Sequence, residues 1–352
     1  NRSFSREEPE FQRPGNCWTN RKTASAKPIQ VRAKSNSSFS TGYQACGFPG
    51  VPPTLKSSSL SPHLSAIPMI PEKSPEFRFI DRVRRLAGQA PGVSLGIGDD
   101  AAAVTFQSGR PAVVTSDMLL EGVHFQIPPA TPHDVGRKSI NVNLSDLAAM
   151  AALPRFAVVS VCLPRGRSIG DELMDGIIES ASEFDVTIIG GDTNAWDGPL
   201  IVSVTAIGEA HAKGLVTRSG AKTGDWICVT GEFGGSLAGR HLSFTPRVRE
   251  ATFFHEAAAL TAMLDVSDGL VADLFHILEE SQCGAVLDAE AIPISEAARS
   301  LASGRTPLQR ALGDGEDFEL LFTLPADEGQ RLLARSDLPV RVTRIGEIVA
   351  EA

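Results

Sequence analysis

The stretch Pro132–Pro164 reads PHDVGRKSINVNLSDLAAMAALPRFAVVSVCLP. Its first two thirds predict a long helix ended by Pro154, because proline breaks an interior helical turn. RFAVVSVCLP then reads as a strand rich in β-branched residues. A long helix running into a strand points to mixed α/β architecture, and the alternation continues outward. Downstream lie IGDELMDGIIESASEF (helix), VTIIGG (strand) and PLIVSVTAIGEA (strand). Upstream, FRFIDRVRRLA sets Phe79, Ile80, Val83 and Leu86 on one helical face, and AAVTF and PAVVTSD read as strands. A second block opens near Thr217. It holds the strands DWICVTG, AMLDVSD, GAVLDAE, FELLFTLP and VRVTRIGEIV, with helices such as GLVADLFHILEES between them. The fold class is therefore α/β (α+β) in two parts, 75–212 and 213–352.

Composition narrows the function classes. The 352 residues are 42% hydrophobic, enough for a sizeable core. No window approaches eighteen uninterrupted apolar residues, which argues against a membrane-spanning helix. The five cysteines form no CxxC pair, so the reading is a reducing, cytoplasmic compartment without structural zinc. Residues 1–74 are Ser- and Pro-rich and basic, with ten Lys/Arg against four Asp/Glu. They are expected to form a disordered or non-native extension outside the fold. The whole chain still carries a net charge of −9, so the body is strongly acidic. Such a body is a poor nucleic-acid partner, but it can hold anionic phosphates where metal ions bridge the two.

The placement of the acids is more informative than their number. Aspartate is depleted in strands and is rarely buried without a partner. Yet Asp99 and Asp100 in GIGDDAA, Asp117 in VVTSDML, Asp192 in IIGGDTN, and Asp265 and Asp268 in MLDVSDGL all interrupt apolar strand ends. Asp146 sits among apolar residues inside the long helix. Singly, each has a bland reading: a turn acid, a solvated helix position, an Asx-turn, a helix N-cap. Together they point to one shared site. Clustered carboxylates raise one another's pKa, and hard cations such as Mg²⁺ relieve that cost while keeping waters to exchange for phosphate.

The glycine-rich segments GIGDD, IIGGDTN and TGEFGG let backbone N–H groups approach phosphate, although glycine pairs are also ordinary turns. P-loop, dinucleotide-fold and protein-kinase signatures are absent, as are GxSxG and HExxH. Arg218 and Lys222 are candidates to meet phosphate or to sit in a surface loop. His124 in EGVHF is a candidate substrate contact or a packing residue, and Glu316 in GEDFELLF a site acid or a turn acid.

The segments GIGDDAA, TSDMLLEGVHF, NVNLSDLAAMAA, IIGGDTN, TRSGAKTGDW, LDVSDGL and GEDFELLF follow one another in the order and rough spacing of the thiamine-monophosphate kinase family. The chain resembles that family, part of the aminoimidazole-ribonucleotide-synthetase-like superfamily, from about Phe77 to Ile348. The resemblance implies a two-domain fold with N-terminal-half sheets pairing in a homodimer and a C-terminal α/β domain. It implies transfer of the γ-phosphate of ATP to thiamine monophosphate, giving thiamine diphosphate. It assigns Asp100, Thr115, Ser116, Asp117, Asp146, Asp192, Asp265 and Asp268 to several Mg²⁺ ions. Gly191, Asp192, Arg218 and Ser267 fall near ATP, and His124 and Glu316 near thiamine monophosphate. Relatives continue with an aromatic residue against the thiamine moiety, for which this sequence has no counterpart.

Because the acceptor phosphate is already an anionic nucleophile, the expected chemistry is direct in-line transfer with no phospho-enzyme and no general base. Alternatives are another ATP-using enzyme of the same superfamily, or a nucleotide- or thiamine-phosphate-binding protein without turnover.

Overall fold

Helix formation begins at Thr131. Its hydroxyl accepts a hydrogen bond from the Asp134 N–H (3.1 Å), and the Asp134 carboxylate accepts one from the Thr131 N–H (2.9 Å). This reciprocal cap, with Pro132 opening the first turn, satisfies two donors that a helix end otherwise leaves unpaired. The helix that follows is buried on nearly every side, and much of the fold is laid around it.

The computed structural model describes residues 29–32, 75–88, 91–95, 103–106, 109–302 and 304–350. The N-terminal half contains α1 (Pro75–Ala87), β2 (Val93–Leu95), β3 (Ala103–Val104), β4 (Ala112–Leu120), α2 (Pro132–Ala149), β5 (Leu153–Pro164), α3 (Gly170–Ser182), β6 (Thr187–Trp196) and β7 (Ile201–Glu209); β1 (Ile29–Arg32) precedes them. The C-terminal half contains β8 (Trp226–Thr230), α4 (Arg240–Ser243), α5 (Val248–Ala257), β9 (Ala262–Asp265), α6 (Leu270–Ser281), β10 (Gly284–Asp288), α7 (Glu296–Ser300), α8 (Pro307–Gly313), β11 (Leu320–Leu324), α9 (Ala326–Leu333) and β12 (Val342–Val349).

Two main sheets result. The first runs β4-β7-β5-β6 and is antiparallel except for the β5/β6 pair, which α3 joins as a β-α-β unit. One face packs on α2, and the other presents Val114 and Met118, at 61% and 55% exposure. The second runs β1-β10-β12-β8-β11-β9, antiparallel except for the β1/β10 edge. Among the described residues no helix is long and apolar enough to cross a membrane.

The structure departs from the sequence reading in two places. The long helix ends at Ala149, before Pro154. Ala151 turns into the left-handed region (φ 51°), Ala152 N–H reaches back to the Leu147 carbonyl (2.9 Å) and Ala151 N–H to Ala148 (2.8 Å). That is the helix-closing turn usually given to glycine. Pro154 instead lies in β5, opposite Gly208. The second departure concerns residues 1–74, which were expected to lie wholly outside the fold. Ile29–Arg32 form β1, pairing in parallel with Ala285–Asp288 at the sheet edge.

The helices α2 and α3 meet backbone to backbone. A Cβ at Gly136 would stand 2.0 Å from the Leu173 carbonyl oxygen, and one at Gly176 would stand 2.1 Å from that of His133. Alanine at either position should therefore cost about 1–3 kcal/mol through overpacking. Urea titration of Gly136→Ala and Gly176→Ala checks this; wild-type midpoints would show that the helices separate freely.

Candidate active site

Side chains alternate along β4, so Thr115 and Asp117 point toward α2 while Ser116 points away. Thr115 Oγ1 donates to the Asp146 carboxylate on α2 (2.5 Å). The neighbouring Ser145 donates to Asp265, the last residue of β9 (2.6 Å). Three elements thus deliver Thr115, Asp117, Asp146 and Asp265 to one place. Asp268 follows in the turn before α6, close enough to act on Asp117 electrostatically. The α6 turn is held by Asp273, whose carboxylate accepts the Asp268 and Gly269 N–H groups (2.9 and 3.1 Å).

These carboxyls are costly to ionise in the protein alone. Burial, then the nearby Asp146, Glu316 and Asp268, pushes Asp117 up to about 7. Burial also raises the tightly coupled pair Asp146 and Asp265, whose mutual repulsion adds to it. The Thr115 hydrogen bond and the positive charge of Arg218 pull Asp146 the other way. Burial likewise pushes Asp273 up to about 7. A cavity of about 450 Å³, of ligand size, opens beside the group and is lined by Thr115, Asp146, Arg218, Met263, Asp265 and His276.

A second group lies where the two halves meet. Leu120 N–H donates to His124 Nδ1 (3.0 Å), so the neutral ring carries its proton on Nε2. Lys138 of α2 is fully buried; its ammonium donates to the His124 carbonyl (2.9 Å) and to the Glu316 carboxylate. Glu316 and Phe318 both have left-handed backbones (φ 59° and 50°), a strained arrangement for non-glycine residues. Their neighbours hold it in place. Asp317 accepts from Gly234 N–H (3.0 Å) and the Ser236 hydroxyl (2.5 Å). Glu319 is gripped by Arg240, Arg247 and Thr230, and Phe318 stacks on Phe244 at 4.1 Å. Ser267 adjoins this loop, its carbonyl accepting from Glu316 N–H (2.7 Å).

Some expected site residues lie elsewhere. The Ser116 hydroxyl shares a hydrogen bond with Thr205 (2.9 Å) on the sheet face opposite Asp117, because strand alternation separates neighbours. Asp192 is on β6, the far edge strand from β4, in register with Ser160, and it bonds locally to Thr193 N–H and Asn194. Three strand spacings, about 14 Å, separate β6 from β4 within one chain. Gly191 shows a packing role: a Cβ there would lie 1.9 Å from the Val159 carbonyl. Asp100, with Asp99, lies outside the described residues. The sequence reading missed Lys138, Asp273 and His276; Lys138 stands beside Arg137 in a helix that also carries His133, Asn141 and Asn143, so nothing local marked it.

The donors present suit a hard cation. They are carboxylate and hydroxyl oxygens, and the carboxylates lack enough compensating positive charge. Among the described residues no three His, Cys, Asp or Glu side chains are grouped tightly enough to cage a metal unaided.

Two domain families match the chain: the AIR synthase related protein N-terminal domain over residues 98–210 and its C-terminal domain over 222–352. A thiamine-monophosphate kinase of Rhodopirellula baltica is 42% identical over 285 residues, covering 78% of this chain and 89% of the relative. The crystal structure of thiamine-monophosphate kinase from Stenotrophomonas maltophilia superposes with a TM-score of 0.68 at 37% identity, covering 78% of this chain and 94% of that one. A structure of AaThiL complexed with AMPPCP and TMP gives a TM-score of 0.62 at 29% identity, over 78% and 91% of the two chains.

The raised carboxyls predict a pH signature. An unfolded aspartate titrates near 3.9. Between about pH 4 and 7 the folded chain therefore binds more protons than the unfolded one, and the cluster's contribution to stability falls as pH rises. A divalent cation takes the place of those protons, so Mg²⁺ should raise Tm more at pH 8 than at pH 5.5. Thermal melts with and without Mg²⁺ at both pH values test this; an equal or reversed effect would contradict it.

Proposed function

The chain belongs to the thiamine-monophosphate kinase family, and from that premise we propose that it phosphorylates thiamine monophosphate to thiamine diphosphate with ATP. The observation that carries this reading is the convergence of Asp117, Asp146 and Asp265 beside a ligand-sized cavity, with the His124–Glu316 group next to it. One end suits a nucleotide and its phosphates. The other suits an acceptor, and Asp117, which is affected by Glu316, lies between them.

In this reading Asp100, Thr115, Asp117, Asp146, Asp265 and Asp268 hold Mg²⁺. Bound there, Mg²⁺ neutralises the facing phosphates and aligns the reacting oxygens. Arg218, beside Asp146, faces the nucleotide phosphates. His124 and Glu316 orient thiamine monophosphate. An acceptor phosphate oxygen forms the new P–O bond as the bond from the γ-phosphorus to the ADP oxygen breaks. No side chain acts as nucleophile, since the acceptor is already an anion.

The domain boundaries 75–212 and 213–352 assign Asp117 and Asp146 to the first half, and Asp265, Asp268 and the Glu316 loop to the second. The exposed Val114–Met118 face supports a homodimer formed through the first sheet. Ser116 and Asp192 lie on that same outer face, so in the dimer they belong to the boundary between protomers. A cytoplasmic location accords with the free thiols of Cys162 and Cys228.

Incubation with ATP, Mg²⁺ and thiamine monophosphate should yield thiamine diphosphate and ADP in equal amounts. Asp117→Asn should lower kcat roughly 100-fold or more while the circular dichroism spectrum is retained. ADP without thiamine diphosphate would point to a different acceptor. Unchanged turnover in Asp117→Asn would remove that residue from the site.

A further inference from the structure

Lys138 has no exposed surface, yet the reaction as outlined gives it no part. A buried ammonium persists only when paired and fully hydrogen-bonded. Its two named partners belong to different halves of the chain. The His124 carbonyl is in the turn after β4, and the Glu316 carboxylate is in the loop before β11, 178 positions away in sequence. Those two residues are the pair assigned to the acceptor. One side chain therefore links the only contacts proposed for thiamine monophosphate.

Neither partner is fixed by its own segment alone. Glu316 sits on a left-handed backbone, its conformation imposed by neighbours. It also lies near Asp117, and without a cation it would add an uncompensated negative charge there. On the other side, the His124 ring is held by Leu120 N–H, while its carbonyl is held by Lys138. An ammonium suits this position. It is a compact charge with donors in three directions and can serve acceptors on two separate segments, whereas a planar guanidinium favours one carboxylate.

The same helix meets the nucleotide end eight residues later, at Asp146. That is about 12 Å along the axis, so the two roles are physically separated. We propose that Lys138 is a positioning residue of the acceptor end, holding the His124 turn and the Glu316 carboxylate together so that thiamine monophosphate meets both in one geometry. The inference rests on the acceptor role of His124 and Glu316 and adds the residue that sets their separation.

The test uses the full chain as wild type, Lys138→Met, Lys138→Gln, Glu316→Gln and the Lys138→Met/Glu316→Gln double variant. Steady-state kinetics give kcat and KM for thiamine monophosphate, and calorimetry gives the Kd of a non-hydrolysable ATP analogue. Each Lys138 variant should raise the KM for thiamine monophosphate about tenfold or more, with analogue affinity changed less than about twofold. The double variant should be no worse than the weaker single variant, because the two residues act as a unit. Parallel loss of analogue affinity, an unchanged KM or additive losses would overturn the proposal. So would failure of both Lys138 variants to fold while Glu316→Gln folds, which would make the lysine purely structural. A wild-type chain that forms no thiamine diphosphate would instead overturn the acceptor reading, and this inference with it.

Discussion

A helix buried on nearly every side can carry polar side chains only if each finds a partner, and α2 meets this constraint along its whole length. Asn141 donates to the Phe244 carbonyl (3.1 Å) and accepts from Ser180 on α3 (2.6 Å). Asn143 accepts from the Asp117 N–H of β4 (3.1 Å), and Ser145 donates to Asp265 of β9. Lys138 reaches the His124 turn and the Glu316 loop. Each of these bonds also fixes a neighbouring element. Buried polar contacts of this kind contribute little net stability compared with apolar packing, but they specify one arrangement among many. Here that arrangement brings both halves of the chain to the same site.

The price of that arrangement is charge. Asp117, Asp146 and Asp265 are held close enough for each to oppose another's ionisation, and burial compounds the effect. A chain selected only for stability would replace them with apolar residues. In the proposed reaction their presence has a chemical reason. Joining two phosphates requires a place where cations are already favoured, and a partly uncompensated carboxylate group provides it. The left-handed Glu316 and Phe318 are a second cost, carried by the Asp317 and Glu319 networks.

Much of the fold was legible because its strands and helices differ sharply in pattern. PAVVTSD and RFAVVSVCLP are short, β-branched and turn-bounded, and α2 is long and capped. The acids of β4, α2 and β9 were legible for a related reason, as carboxylates interrupting apolar runs. What escaped depends on three-dimensional placement. Ser116 adjoins Asp117 in sequence but faces the opposite way, and Asp192 resembles the other strand-end acids yet lies on the far edge strand. The end of α2 was displaced by a left-handed alanine, which carries no sequence mark. Lys138 escaped because its partners are a turn carbonyl and a residue 178 positions away. Neither can be read from local spacing.

Manganese binding tests the shared carboxylate site most directly. Free Mn²⁺ is followed by electron paramagnetic resonance as the ion is titrated into wild type and Asp146→Asn, with and without a non-hydrolysable ATP analogue. A site built from these carboxylates and completed by phosphate predicts strong uptake in wild type that rises when the analogue is present, and its loss in Asp146→Asn. Equal uptake by both proteins would place the cation elsewhere, and the convergence around α2 would then be structural.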